Sequence, residues 1–251
     1  MTQLRDVVYV VCVAVGSSVI RRYNATTHQR LTDIVITGLG WARDIAACRL
    51  TSQLYVADSD ECVWRVSSDG VDMQLWLTTS PSDMFRSSTL SVTSSRLLVT
   101  SRRDRQLRQF DAAGGDELRR VGLPDYMEPR HAVESPTGTF VVGHHNAELY
   151  HITHSQVSEV STEGQVLRQF CGPLRWDILI AVDSRGNILV ADSGYHRILL
   201  LDAQLALRRV IINKRQLNGR RPEHLCYVDQ SGQLLVGFYN RGVGVFDVLR
   251  R

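Results

Sequence analysis

Lysine is almost missing from this sequence. Lys214 is the only one, and every other member of its 29 basic residues is an arginine. Against 26 acidic residues this leaves a net charge of +3, too mild to imply nucleic acid by itself. Codon bias accounts for the arginine preference without invoking function. Arginine does suit bidentate contacts to carboxylate and phosphate, so its placement matters. Long apolar runs are also missing: none approaches the roughly 18 residues a membrane-spanning helix needs, and no membrane partner is expected. None of the five cysteines (Cys12, Cys48, Cys62, Cys171, Cys226) forms a CxxC pair, which excludes a zinc finger or RING within these residues. All but Cys62 lie in or beside apolar stretches and read as small buried hydrophobes. Their odd number favours a reducing compartment, and a cytoplasmic location is expected. No GxSxG, P-loop or other compact catalytic motif occurs.

What is present is an ordinary globular composition of 251 residues, 43% hydrophobic and 22% charged, enough for a sizeable core. The chain is also self-similar. Val56-Ala57-Asp58-Ser59, Val99-Thr100-Ser101, Val142-Gly143-His144, Val190-Ala191-Asp192-Ser193 and Val236-Gly237-Phe238 align at intervals of 43 to 48 residues, and Cys12-Val13-Ala14 extends the series backwards. This period, with no helical pattern inside it, predicts an all-β, six-bladed β-propeller. The expected blades are residues 1–37, 38–79, 80–123, 124–171, 172–212 and 213–251. Val7–Val15 could serve as a signal segment, but the same residues fit a buried strand of the repeat. Small residues after the second-strand valine (Ala57, Thr100, Gly143, Ala191, Gly237) predict close packing of neighbouring sheets. Ile20 with Tyr23, Val63 with Val66, Leu107 with Phe110, Leu149 with Ile152, Ile198 with Leu201 and Val243 with Phe246 predict a third-strand core. The first unit reads as starting at its second strand, near Val7, and the last as ending after its third. Both terminal blades are therefore expected to be incomplete.

Residues Ile178–Ile211 resemble an NHL repeat through Ala181-Val182-Asp183, Gly186-Asn187, Val190-Ala191-Asp192-Ser193 and His196-Arg197-Ile198. A looser copy begins at Asp44. Such repeats form six-bladed propellers, many of them the C-terminal substrate- or RNA-binding domains of tripartite-motif proteins. The resemblance therefore implies a binding module with a protein or single-stranded RNA partner, and a ubiquitin-ligase context if further domains lie elsewhere. It also makes Asp192 and Arg197 a hallmark pair, read as a structural brace.

Propellers bind through the loops that lead into first strands and join second to third strands. Arg102, Arg103, Arg105, Arg130, Arg175, Arg215, Arg220, Arg221 and Arg241 fall there, interleaved with Tyr126, Trp176, Tyr195 and Tyr239. Guanidinium groups beside stacking platforms suit single-stranded RNA. The same arginines also suit a solvated face neutralised by Asp58, Asp104, Glu128 and other acids. Asp44, Arg130, Asp177 and Glu223 open first strands, with His131 and His224 beside two of them. A calcium- or zinc-dependent propeller enzyme of lactonase or amidating-lyase type would use such positions. However, Arg130 intrudes and no third ligand stands beside His131 and His224, so neither metal nor other cofactor is expected. His144, His145, His151 and His154 read as a polar loop.

Overall fold

The computed structural model describes residues 1–14, 17–78, 88–147, 155–183, 185–228, 231–238 and 242–248. No helix occurs among them. The chain divides into two compact units, Met1–Arg120 and Val121–Arg251.

The first unit holds three antiparallel four-stranded sheets. They are built from β1 (Thr2–Leu4), β2 (Val7–Ala14), β3 (Ser17–Asn24) and β4 (Ile34–Val35); from β5 (Asp44–Cys48), β6 (Gln53–Ala57), β7 (Val63–Ser67) and β8 (Met73–Leu77); and from β9 (Thr89–Thr93), β10 (Arg96–Ser101), β11 (Gln106–Asp111) and β12 (Glu117–Gly122), whose last residues cross the division. The second unit holds β13 (Met127–Glu134), β14 (Phe140–Asn146), β15 (Ser155–Val160) and β16 (Val166–Gln169); then β17 (Ile178–Val182), β18 (Ile188–Asp192), β19 (Arg197–Leu201) and β20 (Leu207–Ile212); then β21 (Pro222–Val228), β22 (Gln233–Phe238) and β23 (Val243–Asp247). In every sheet the strands pair in sequence order, the up-and-down meander of a propeller blade.

In the second to sixth sheets the second strands are heavily buried, lying between two partners with β-branched and leucine side chains on both faces. Val56, Val99, Val142, Val190 and Val236 are all fully inaccessible. Neighbouring sheets within a unit share their cores. Ile20, Leu54, Val56 and Val66 join the first and second sheets, and Cys48, Val63, Leu97 and Phe110 join the second and third. Val141, Val157, Ile178 and Val190 join the fourth and fifth, and Leu189, Ile198, Leu234 and Val236 join the fifth and sixth. Full burial of each such side chain contributes about 1.5–3 kcal/mol.

Four sequence expectations need correction. The first sheet is complete: Thr2 pairs with Tyr9 and Leu4 with Val7, across a turn where Arg5 takes φ +52°. The sixth sheet, by contrast, has three strands among the described residues, in line with the expectation that it ends after its third. In the fourth sheet the third strand is β15, so Val157 and Val160 hold the core positions; Leu149, Ile152, His151 and His154 lie outside the described residues. In the sixth sheet Val243 is 37% exposed where Val63, Leu107, Val157 and Ile198 are 0% exposed, and Phe246 is half-buried. Cys48 alone of the cysteines is buried; Cys171 is exposed, Cys12 and Cys226 are intermediate, and all five are free thiols.

Candidate functional site

The first strands β13 and β21 share a pattern near their starts, Pro129-Arg130-His131 and Pro222-Glu223-His224. Proline carries no N–H for the ladder and is tolerated in a sheet only at an edge, a strand start or a bulge. Both strands bulge there. Pro129 pairs with His144 and His131 with Gly143, leaving Arg130 as the extra residue. Pro222 pairs with Phe238 and His224 with Gly237, leaving Glu223 as the extra residue. The other first strands, β1, β5, β9 and β17, pair with their second strands without a shift. A bulge re-aims a side chain out of the pleat. Both re-aimed side chains line one cavity of about 250 Å³, together with His145, Trp176, Asp177, Ser193 and Arg221.

Asp177, immediately before β17, lies between the two bulges in sequence and meets Arg130, with Nε 3.2 Å from Oδ1. Arg130 also reaches His145 Nδ1 at 3.1 Å. The opposite ring nitrogen, Nε2, lies 3.0 Å from the Trp176 carbonyl, and Ser155 Oγ donates to that same carbonyl. These contacts hold Trp176 at φ +66°, a conformation that costs a bulky residue on the order of 1–3 kcal/mol. The Arg221 guanidinium stacks 4.0 Å from the centroid of the Trp176 ring, and that of Arg175 lies 5.3 Å away. Ser193 Oγ donates to the Pro222 carbonyl, tying the β18–β19 turn to the second bulge.

Glu223 differs from the other charged groups in the cavity. It makes no hydrogen bond or ion pair with any described residue. Burial pushes its carboxyl above the ordinary value, the negative charge of Asp177 adds to this, and Arg221 only partly opposes it.

Asp192 and Arg197 support the loop that carries Arg175 and Trp176. Asp192 is fully buried, and Arg197 Nε binds its Oδ2 at 2.8 Å. Its Oδ1 accepts from the backbone N–H of Arg175 and Tyr195, while the other end of Arg197 donates to the Pro173 carbonyl at 2.6 Å. Desolvation raises the Asp192 carboxyl despite these donors. Arg197 also covers the half-exposed Tyr195 ring at 4.7 Å. In the second sheet Asp58 stands in the same register, and its Oδ2 accepts from the Trp64 indole at 2.8 Å.

Of the residues singled out from sequence, Arg130, Arg175, Trp176 and Arg221 come together, with Tyr195 joined to them through Asp192. Arg220 lies over the Phe238 ring at 5.3 Å. Arg215 is exposed on the β20–β21 loop, and Tyr126 is half-buried with its carbonyl accepting from Ala147. Arg102, Arg103 and Arg105 occupy the β10–β11 turn of the other unit, Arg105 at φ +50°. Tyr239 and Arg241 lie outside the described residues. Other candidates have structural roles. Asp44 is buried and accepts from the backbone N–H of Ile45 and Leu90, bridging β5 to β9. His131 Nδ1 accepts from Ile180 N–H at 3.4 Å, bridging β13 to β17. Among the described residues no group of three His, Cys, Asp or Glu is placed to hold a metal ion. The paired bulges were missed from the sequence; the repeated Pro-X-His was the signal for them.

No family model matches the sequence, and no curated protein does. Many solved structures share its fold. A protein of unknown function from Bacteroides caccae superposes with a TM-score of 0.62 at 17% identity, over 88% of this chain and 79% of that one. A chain in a nidogen–laminin complex gives 0.65 at 13% identity, over 84% and 77%. The β-propeller domain of Cps50 (Swd1) from Myceliophteria thermophila gives 0.63 at 11% identity, over 98% and 80%. At these identities the likeness carries the fold alone: the chain is an all-β, six-bladed β-propeller.

Proposed function

We propose that the chain is a non-catalytic binding module that holds a protein partner against the bulged, loop-bearing side of Val121–Arg251. The observation that carries this reading is the charge balance of the cavity. Arg130 and Arg221 are matched in number by Asp177 and Glu223, so the site lacks the continuous positive track that a nucleic-acid backbone requires. The arginines beside it are already engaged with the protein's own aromatic rings: Arg221 and Arg175 with Trp176, Arg197 with Tyr195, Arg220 with Phe238. Prearranged tryptophan, tyrosine and arginine side chains are the residues that dominate protein interfaces. The NHL-like marks at Ile178–Ile211 support the same reading, because the modules they resemble recognise substrates. One of the similar structures is itself a complex of two proteins.

The test compares wild-type protein with a Trp176→Ala/Arg221→Ala double variant of matched melting temperature, both crosslinked in cells. A discrete set of protein partners retained by the wild type and lost by the variant is expected. Recovery of RNA above a charge-matched control protein, with affinity falling steeply as salt rises, overturns it.

A further inference from the structure

We propose that the cavity between the two bulges is a socket for one basic side chain, arginine or lysine, whose cationic head pairs with Glu223. The proposal deepens the protein-binding reading and rests on it for the source of that side chain.

The cavity's own bonding selects the class of occupant. Arg130 is held between Asp177 and His145, and His145 is further held by the Trp176 carbonyl. Ser193 is bonded to the Pro222 carbonyl, and Arg221 is stacked on Trp176. Among the described residues, Glu223 alone of these charged groups is left without a partner. Arg221, two residues away and just before the strand, does not pair with it; its guanidinium stacks on the indole instead. An anionic ligand would have to pull Arg130 from Asp177 or Arg221 from Trp176, and would then lie against an unneutralised carboxylate. A cation displaces nothing, and Asp177 lies close enough to act on Glu223, so its charge adds to the attraction. The cavity, about 250 Å³, has room for a long aliphatic stem and its head group but not for a folded segment.

The bulge is the second observation. A carboxylate at a regular position would alternate into the sheet's packing face or away from the cavity. Pro222 breaks the ladder at the residue before Glu223, and the extra residue is what turns this carboxylate into the cavity. The same device acts at Arg130, which holds Asp177 in place on the opposite side.

The experiment uses the full chain, labelled with 5-fluorotryptophan and titrated by fluorine NMR, with Trp176→Phe assigning the resonance. The probes are acetyl-Gly-Arg-Gly-amide and its citrulline counterpart, which has the same shape without the charge. The expected result is a saturable shift of the Trp176 resonance by the arginine peptide. Binding should be at least tenfold weaker for citrulline, and at least tenfold weaker for the arginine peptide in Glu223→Gln protein of unchanged melting temperature. Equal response to the two peptides, or unchanged binding in Glu223→Gln, overturns the socket. The two readings fail separately. If Glu223→Gln retains the crosslinked protein partners that Trp176→Ala/Arg221→Ala loses, the protein-binding reading stands and the socket falls. If the arginine peptide binds through Glu223 but no protein partner is recovered, the socket stands and its assignment to a protein partner falls.

Discussion

His144 shows how much of this molecule's chemistry is structural. It is fully buried, with Nε2 2.9 Å from Ser158 Oγ and Nδ1 3.3 Å from the His145 carbonyl. Burial lowers its pKa from 6.5 to about 4. In the folded state the ring is therefore neutral between those values, whereas in the unfolded chain it takes up a proton below 6.5. Its stabilisation is fully present above pH 6.5 and is lost as pH falls toward 4, on the order of 3 kcal/mol across that window. Melting curves between pH 7 and 4.5 should steepen in their pH dependence because of this residue, and His144→Gln should flatten that part of the profile. Asp192 is the other single side chain on which much depends. Asp192→Ala removes the partner of Arg197 and the acceptor of two backbone N–H groups; because Arg197 is one-quarter exposed, the cost should be about 2–3 kcal/mol in denaturant unfolding. Glu223 carries a pH signature of a different kind. Its carboxyl is raised, and only the ionised form attracts a cation, so arginine-peptide affinity should fall as pH drops through that raised value. Glu223→Gln should show weak binding without this pH dependence.

At the scale of the element, the small residue after the second-strand valine of the fourth sheet is explained by the neighbouring sheet. A Cβ on Gly143 would lie 2.8 Å from Ile178 Cγ2 and 3.0 Å from the Ile178 carbonyl oxygen. Gly143→Val should therefore cost about 2–3 kcal/mol by forcing β14 away from β17, read as a lowered denaturation midpoint with an unchanged slope. Val190→Asp, one position from the equivalent alanine in β18, buries an unpaired carboxylate and should abolish folding. Strands such as Ile178–Val182 and Ile188–Asp192 were legible in the sequence because short apolar runs between Asp, Gly and Asn turns have few other readings. β1 was not, because three residues carry too little pattern. β15 was not, because Ser155-Gln156-Val157-Ser158-Glu159-Val160 reads as polar loop although Ser158 and Glu159 are themselves buried. The site was half legible. Arg130, Trp176 and Arg221 stood out as charged and aromatic loop residues. Which side chains share a cavity depends on where the ladder slips, and alternation alone does not carry that information.

Over the whole molecule the near-cancellation of 29 basic and 26 acidic residues leaves little field to steer a partner from a distance. Association at the proposed socket should therefore depend weakly on salt, with a slope near that of one charge contact. A nucleic-acid interface would show the several-fold larger slope of many phosphates. The sixth sheet is the least enclosed part of Val121–Arg251. Val243 and Val245 are exposed on β23, the outermost described strand of that sheet. Amide exchange there should be faster than in β18, where every residue is buried between two partners.

The two Pro-X-His bulges have a further consequence. A residue expelled from a ladder contributes no cross-strand pair, so its side chain can change while every neighbouring pair keeps its register. Arg130 and Glu223 hold that status, whereas Pro129, His131, Pro222 and His224 remain paired. Selection can thus exchange the charge at Glu223, acid for base, while leaving the pairing register of the sheet untouched. Propeller domains with the same scaffold and opposite ligand preference are then one substitution apart.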